Sequence, residues 1–233
     1  MSSLTSAYTD PGIATLGTTI NLSDPIISAN DLNTLNYITD GNINTASVTI
    51  LTGAISSLTA VYSAAASSGN GIGNLGNENI ILSDYNVDST SFLNIHNSTT
   101  GIINAESISS FTGSGSSIIS IYDSTTGSNA TTIGLGNERI ALSDRSIGSS
   151  VLVDLASRTT GIIDAGTIYE ITGDITSVNN AYSSTSITGL NNEDIVLTGP
   201  SSTLGTISNV ADLNTLDDNT SGLVDASNMS SIS

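Results

Sequence analysis

Acidic side chains in this chain recur at a fixed interval. Asp24, Asp84 and Asp144 each close a Leu-Ser-Asp tripeptide, with 60 residues between successive copies. Asn44, Asn104, Asp164 and Asp225 share a second position, and Glu78, Glu138 and Glu193 a third. If equivalent positions stack on neighbouring rungs, like charges approach, and a divalent cation bound between them relieves the repulsion. Oxygen donors of this kind suit calcium. Asp24, Asp84, Asp144, Asp164 and Asp225 are therefore the candidate metal ligands, and calcium is the one candidate cofactor. Asp and Asn directly after a strand also act as turn and helix-cap residues with no ion involved, and that is the preferred reading of these positions.

Other chemistry is scarce. His96 is the sole histidine and occurs in one copy only, so it has no recurrent partner with which to form a catalytic site, and a surface or rim position is expected. The absence of cysteine removes thiol nucleophiles and Cys-based zinc sites, and neither a Gly-x-Ser-x-Gly elbow nor a phosphate loop occurs. Gly134 and Gly136 sit in Ile-Gly-Leu-Gly-Asn without the third glycine of a nucleotide loop and read as a turn. Asn97, Asn129 and Asn219 open glycosylation-type triplets, which a chain with 41 Ser, 31 Thr and 24 Asn contains by accident. No enzymatic activity is expected.

The charge balance excludes further classes. Lysine is absent, Arg139, Arg145 and Arg158 are the only basic side chains, and the net charge is -18, so nothing here neutralises phosphates and nucleic-acid binding is excluded. Apolar runs extend only a few residues, far short of the roughly 20 that cross a bilayer, and the amino terminus has no charged-then-apolar leader.

The elements that would hold these residues follow from the same period. Gly41, Gly101 and Gly161 are 60 apart, with Gly222 as a fourth copy; Tyr62, Tyr122 and Tyr182 keep the interval, and Tyr8 precedes them. In the third copy Ile140-Ala141-Leu142 alternates like a short strand, Ser143-Asp144 turns the chain, and Leu152 and Leu155 have helical spacing after a cap at Ser149-Ser150. The second half repeats this, with Ile163 and Ala165, then Ile168 and Ile171, then Val178, Ala181 and Tyr182. The spacing places the tyrosines in the core or half-buried. Each period thus reads as two strand-plus-helix coils, neither able to bury its apolar face alone. The expected fold is an α/β repeat solenoid, with an all-β parallel β-helix as the alternative. One continuous array over 1–233 is expected, with repeats near 8–61, 62–121, 122–181 and 182–233, the last partial. Neither end carries an atypical capping repeat, which leads to the expectation of a longer array or end-to-end stacking of copies.

Leu142-Ser143-Asp144, Leu213-Asn214-Thr215-Leu216, Thr159 to Ala165 and Ile171-Thr172-Gly173 resemble the repeats of very large, low-complexity bacterial exoproteins, above all of marine cyanobacteria. The resemblance covers nearly the whole chain and implies a cell-surface, S-layer-like, adhesive or RTX-associated location more than a mechanism. The Gly-Gly-x-Gly-x-Asp nonapeptide of RTX calcium rolls is absent, and the fourth copy has Leu197-Thr198-Gly199 in place of Leu-Ser-Asp. The expected role is a noncatalytic structural segment of an extracellular or cell-surface protein that self-associates. The alternative is a calcium-stabilised or adhesive module for glycan, ice or another surface, motivated by Thr99-Thr100, Thr125-Thr126 and Thr159-Thr160.

Overall fold

The computed structural model describes residues 19–66, 71–126, 131–198, 206–207, 210–228 and 231–232. Tyr8, Gly199, Asn129 and Ser233 lie outside them. The described residues form short strands and seven helices, an α/β chain, so the all-β alternative does not hold. In order, the first stretch contains β1 (Ile20–Asn21), β2 (Ile26–Ser28), α1 (Ala29–Ile38), β3 (Ile43–Asn44), β4 (Ile50–Gly53) and α2 (Ile55–Ala66). The next period contains β5 (Ile72–Gly73), β6 (Asn79–Leu82), β7 (Asn86–Asp88), α3 (Ser89–His96), β8 (Ile103–Asn104), β9 (Ser110–Gly113) and α4 (Gly115–Asp123). The third has β10 (Thr132–Ile133), β11 (Arg139–Leu142), β12 (Ser146–Gly148), α5 (Ser149–Arg158), β13 (Ile163–Asp164), β14 (Glu170–Gly173) and α6 (Ile175–Ser183). Last come β15 (Ile187–Thr188), β16 (Asp194–Leu197), β17 (Thr206–Ile207), α7 (Val210–Asn219), β18 (Val224–Asp225) and β19 (Ser231–Ile232).

The chain divides into two compact units, one made of Met1–Ile108 with Ser124–Gly134 and the other of Ser109–Asp123 with Leu135–Ser233. In the first unit β1, β3 and β5 form a parallel sheet, and β2, β4, β6, β8 and β10 form a second. Ile27, Leu51, Ile80, Ile103 and Thr132 are successive partners across the second sheet. In the second unit Phe111, Ile140, Ile163 and Ile187 align across β9, β11, β13 and β15, while Ile147, Ile171, Ile195 and Val224 align across β12, β14, β16 and β18. All of these pairings are parallel, and every strand meets its partner after one intervening helix. Parallel strands cannot be joined by a tight hairpin, so the helix is the crossover the topology requires.

Period-two alternation explains the strands. In β6, Ile80 and Leu82 are buried while Asn79 and Ile81 face out, and β11 repeats this with Ile140 and Leu142 inside. Threefold spacing explains the helices: α6 buries Ile175, Val178 and Ala181, and α2 buries Ile55, Leu58 and Val61. Each fully buried aliphatic side chain stabilises by about 1.5–3 kcal/mol, more than enough to offset the few tenths that Ser, Thr and Asn cost in a helix. The cap of α5 differs from expectation. Gly148 is the N-cap, without a side-chain bond, and Ser149 is the first helical residue. Its buried hydroxyl bonds Ser177 Oγ on α6 at 2.8 Å instead. In α1 and α3 side-chain caps are present, Ser28 accepting from Asp31 N and Asp88 from Ser91 N. A second difference is the set β5, β10 and β15, short strands that the two strand-plus-helix coils read from each period do not include.

Candidate functional site

The most elaborate polar constellation is internal and occurs three times. Glu78, Glu138 and Glu193 are 1 %, 0 % and 0 % exposed. Glu78 accepts from the Tyr62 hydroxyl, Glu138 from Tyr122 at 2.7 Å, and Glu193 from Tyr182 at 2.9 Å. The same carboxylates close the turn just before them: Gly76 N and Asn77 N donate to Glu78 Oε2, Gly136 N donates to Glu138, and Asn191 N to Glu193 Oε1. The backbone carbonyls of the three glutamates accept from Thr99, Thr159 and Thr220 at 2.7, 2.9 and 2.7 Å. Each threonine oxygen then accepts from the amide of Gly101, Gly161 or Gly222. A Cβ on any of these glycines would collide with the glutamate carbonyl, which is why glycine keeps the period there.

A buried carboxylate without a cation is costly unless hydrogen bonds replace its water shell, and here Tyr O–H and backbone N–H groups do so. The tyrosines respond. Burial first, then the hydrogen bond and charge of the glutamate, push the Tyr62, Tyr122 and Tyr182 hydroxyls well above the usual phenol range, against a smaller opposing effect from Thr99, Thr159 and Thr220. A phenol held neutral against a carboxylate is a poor nucleophile and a poor acid. The arrangement does structural work: it fastens a tight turn to the helix before it and to the threonine after the next helix.

The five aspartates named as metal candidates are scattered over different duties. Asp84 Oδ2 accepts from Ile55 N, the first residue of α2, at 2.8 Å, and Asp144 Oδ2 accepts from Gly115 N, the first residue of α4, at 2.8 Å. Each aspartate thus caps the helix of the preceding turn of chain. The fourth copy, with Gly199, has no such carboxylate, and α6 carries its own cap: Asp174 accepts from Thr176 N and Ser177 N at 3.0 Å each. The Ser177 hydroxyl, then the amides of Ser177 and Thr176, hold the Asp174 carboxyl below the usual range, outweighing its partial burial. Asp164 and Asp225 close their own turns onto Gly166 N and Ser227 N, and Asp164 also pairs with Arg139 at 2.9 Å. The Ser227 contacts hold Asp225 below the usual range. Asn44 and Asn104 make the same turn onto Ala46 N and Glu106 N. Asp24 is exposed. Among the described residues no three His, Asp or Glu side chains are arranged to hold a metal ion.

Other candidates are placed as follows. His96 is half-buried at the end of α3, with Nε2 2.9 Å from Thr131 Oγ1. Gly136 lies in the turn that Glu138 closes. Thr99 and Thr159 are spent on the glutamate carbonyls, and Thr100 and Thr160 bond the carbonyls of Gly76 and Gly136, so these rungs are tied to their own fold. Sequence reasoning missed the Tyr–Glu pairing. Its signal was present, since Tyr62 and Tyr122 each precede their glutamate by 16 residues. In the last copy the interval is 11 because the loop is shorter, yet the contact persists.

The outward sheet faces differ between the units. In the first, Ile26, Ile81 and Ile133 are 56 %, 42 % and 45 % exposed, and Ser28, Thr52 and Asn104 align with Ile81 across the sheet. Ile102 just before β8 and its counterpart Ile162 just before β13 are exposed alike in the two units. In the second, the outward positions include Arg139, Asp164, Glu170, Asp194 and Asp225. No helix is long and apolar enough to cross a membrane, among the described residues. No protein-family profile, no curated protein and no solved structure matches this chain.

Proposed function

We propose that this chain is a noncatalytic structural repeat segment of an extracellular or cell-surface protein, built as a solenoid of stacked strand-plus-helix turns that spans distance and associates with further copies of itself. The observation that carries the reading is the threefold Tyr–Glu–Thr–Gly network, in which the tyrosine, glutamate and threonine side chains recur copy after copy and are spent on one another and on backbone groups. Parallel ladders with one helix between paired strands in each unit, and a net charge of -18 that opposes aggregation, support the same reading. Size-exclusion chromatography with light scattering, together with electron microscopy, tests it: an elongated particle or filament is expected, and a compact globular monomer overturns it.

A second reading, an adhesive module, is favoured by one observation, the uncharged isoleucine-bearing outward face of the first unit. Calcium stabilisation is tested separately by thermal melts in EDTA and in added calcium, because an ion bound only by the folded chain raises the melting temperature by mass action. An unchanged melt removes calcium.

A further inference from the structure

The three arginines are employed differently. Arg139 is paired with Asp164, and Arg158 with Asp123 and Asp154 at 2.7 and 2.9 Å. Arg145 is exposed and has no carboxylate partner among the described residues; its guanidinium carbon lies 5.5 Å from the ring centroid of Tyr169. The guanidinium lies within cation–π range of the ring, and with no carboxylate paired to it among the described residues its N–H donors are available to a ligand carboxylate. Tyr169 is 56 % exposed, a large ring kept at the surface.

This pair borders a cavity of about 390 Å³, whose wall also carries Thr112, Ser143 and Thr167. Thr167 is spent, donating to the carbonyls of Leu142 and Asp144. The hydroxyls of Thr112 and Ser143 make no hydrogen bond among the described residues. The cavity therefore combines a cation without a carboxylate partner, an aromatic ring and two uncommitted hydroxyls. Its size is within the range of small-ligand sites.

The frame beneath the pair is shared, whereas the side chains are not. Tyr169 N and Glu170 N both donate to the carbonyl of Arg145, as Thr49 N and Ile50 N do to that of Pro25. At these two repeat positions the first copy has Pro25 and Thr49, the second Tyr85 and Ser109, and the third Arg145 and Tyr169. A backbone held constant while its outward side chains change is how a repeat scaffold presents a recognition site.

We propose that the Arg145–Tyr169 cavity is a subsite for a carboxylate-bearing saccharide of the uronic-acid class. The guanidinium takes the carboxylate, the tyrosine ring packs on the apolar face of the pyranose, and Thr112 and Ser143 bond ring hydroxyls. The -18 charge of the chain opposes anions at long range. At 0.15 M ionic strength that field is screened beyond about 8 Å, so the local cation decides. This inference stands apart from the structural role: an elongated rod without the subsite, or the subsite on a compact chain, are distinguishable results.

The test is calorimetric or NMR titration of the full chain with trigalacturonate and, in parallel, the neutral maltotriose, in 0.15 M salt. Trigalacturonate is expected to bind and maltotriose not. R145Q and R145K each lose tenfold or more in affinity, Y169L loses a comparable amount, and Y169F retains binding because it keeps the ring. R139Q, which removes an arginine already paired with Asp164, leaves binding unchanged. Circular dichroism melts of R145Q match the unmodified chain, separating lost recognition from lost fold. Equal binding of maltotriose, no binding of trigalacturonate at millimolar concentration, or undiminished binding by R145Q overturns the proposal.

Discussion

The two units share an interior and differ on the outside. Tyr62 and Glu78 in the first unit reproduce Tyr122 and Glu138 in the second, down to the amide that each carboxylate accepts in the preceding turn. Outward, the first unit presents Ile26, Ile81 and Ile133 among Ser, Thr and Asn, while the second presents Arg139, Asp164, Glu170 and Asp194. Buried polar groups must be satisfied whatever the copy, so the interior admits little variation; solvent satisfies outward groups of almost any type, so the exterior is free to change. The frame is fixed by desolvation, and any recognition must be sought where that constraint is absent.

If the interior is equivalent in the two units, breaking it should cost the same in each. E78A removes the acceptor of the half-buried Tyr62 hydroxyl and of two turn amides, E138A that of the buried Tyr122 hydroxyl and of one, and each donor orphaned away from water costs about 1–3 kcal/mol. Loss of about 3–5 kcal/mol per variant is expected in urea denaturation followed by circular dichroism. A tolerated E78A beside a damaging E138A would break the equivalence. Y122F sharpens it: the carboxylate keeps its amide donor but loses one charged hydrogen bond, and a smaller loss of about 1.5–3 kcal/mol is expected.

Alkaline pH probes all three networks together. The folded chain holds Tyr62, Tyr122 and Tyr182 neutral well above the usual phenol range, whereas unfolded tyrosines ionise near pH 10. The stability from keeping them neutral is therefore complete below about pH 10 and is lost as the pH rises past it. Each tyrosine contributes up to about 1.4 kcal/mol of loss per pH unit in that window. Denaturation midpoints between pH 8 and 11 should be flat and then fall, and Y122F should make the fall shallower. A midpoint that declines equally in Y122F would remove this tyrosine from the explanation.

The helix caps give a smaller effect. D144A leaves Gly115 N without its carboxylate and should cost about 0.5–2 kcal/mol, as should D174A, which deprives α6 of its own cap. The pair sharpens the comparison between copies. The fourth copy has Gly199 where an aspartate stood, and Asp174 occupies the position that Ala54 and Ser114 hold earlier in the sequence. If D174A were silent, the cap could not be regarded as the substitute for the missing carboxylate.

Much of the frame was legible because burial enforces spacing. Ile80, Leu82, Ile140 and Leu142 alternate as strands must, and Leu152 with Leu155 and Val178 with Ala181 mark helices by threefold intervals. Leu82 and Leu142 are each 4 % exposed at the ends of β6 and β11, as the repeat required. Three features were hidden for physical reasons. The Tyr–Glu contact spans 16 residues across a loop and is a tertiary hydrogen bond, which periodicity alone does not announce. The reach of Asp144 back to Gly115, 29 residues earlier, has the same character. Ser149 was read as a cap by residue type, but Gly148 already supplied the extended backbone there and Ser177 offered the hydroxyl a partner. The acidic columns were visible, yet their duties depended on which amide lay nearest in space.

The outward faces carry the smallest energetic effect and the most direct contrast. Ile81 is 42 % exposed on β6, and its counterpart in the next copy is Ala141 on β11. Because much of the Ile81 side chain is already in water, I81T should leave stability within about 0.5 kcal/mol, and so should A141I. Adhesion is another matter. If the isoleucines of the first unit act together as an uncharged contact face, retention on a hydrophobic-interaction column should fall in I81T and fall further in a combined I81T/I133T variant. A141I, placed beside Asp164 in a charged sheet face, should gain little. Equal retention shifts for I81T and A141I would mean that neighbouring charge does not set the behaviour of these faces, and the distinction between the two units would then reduce to composition alone.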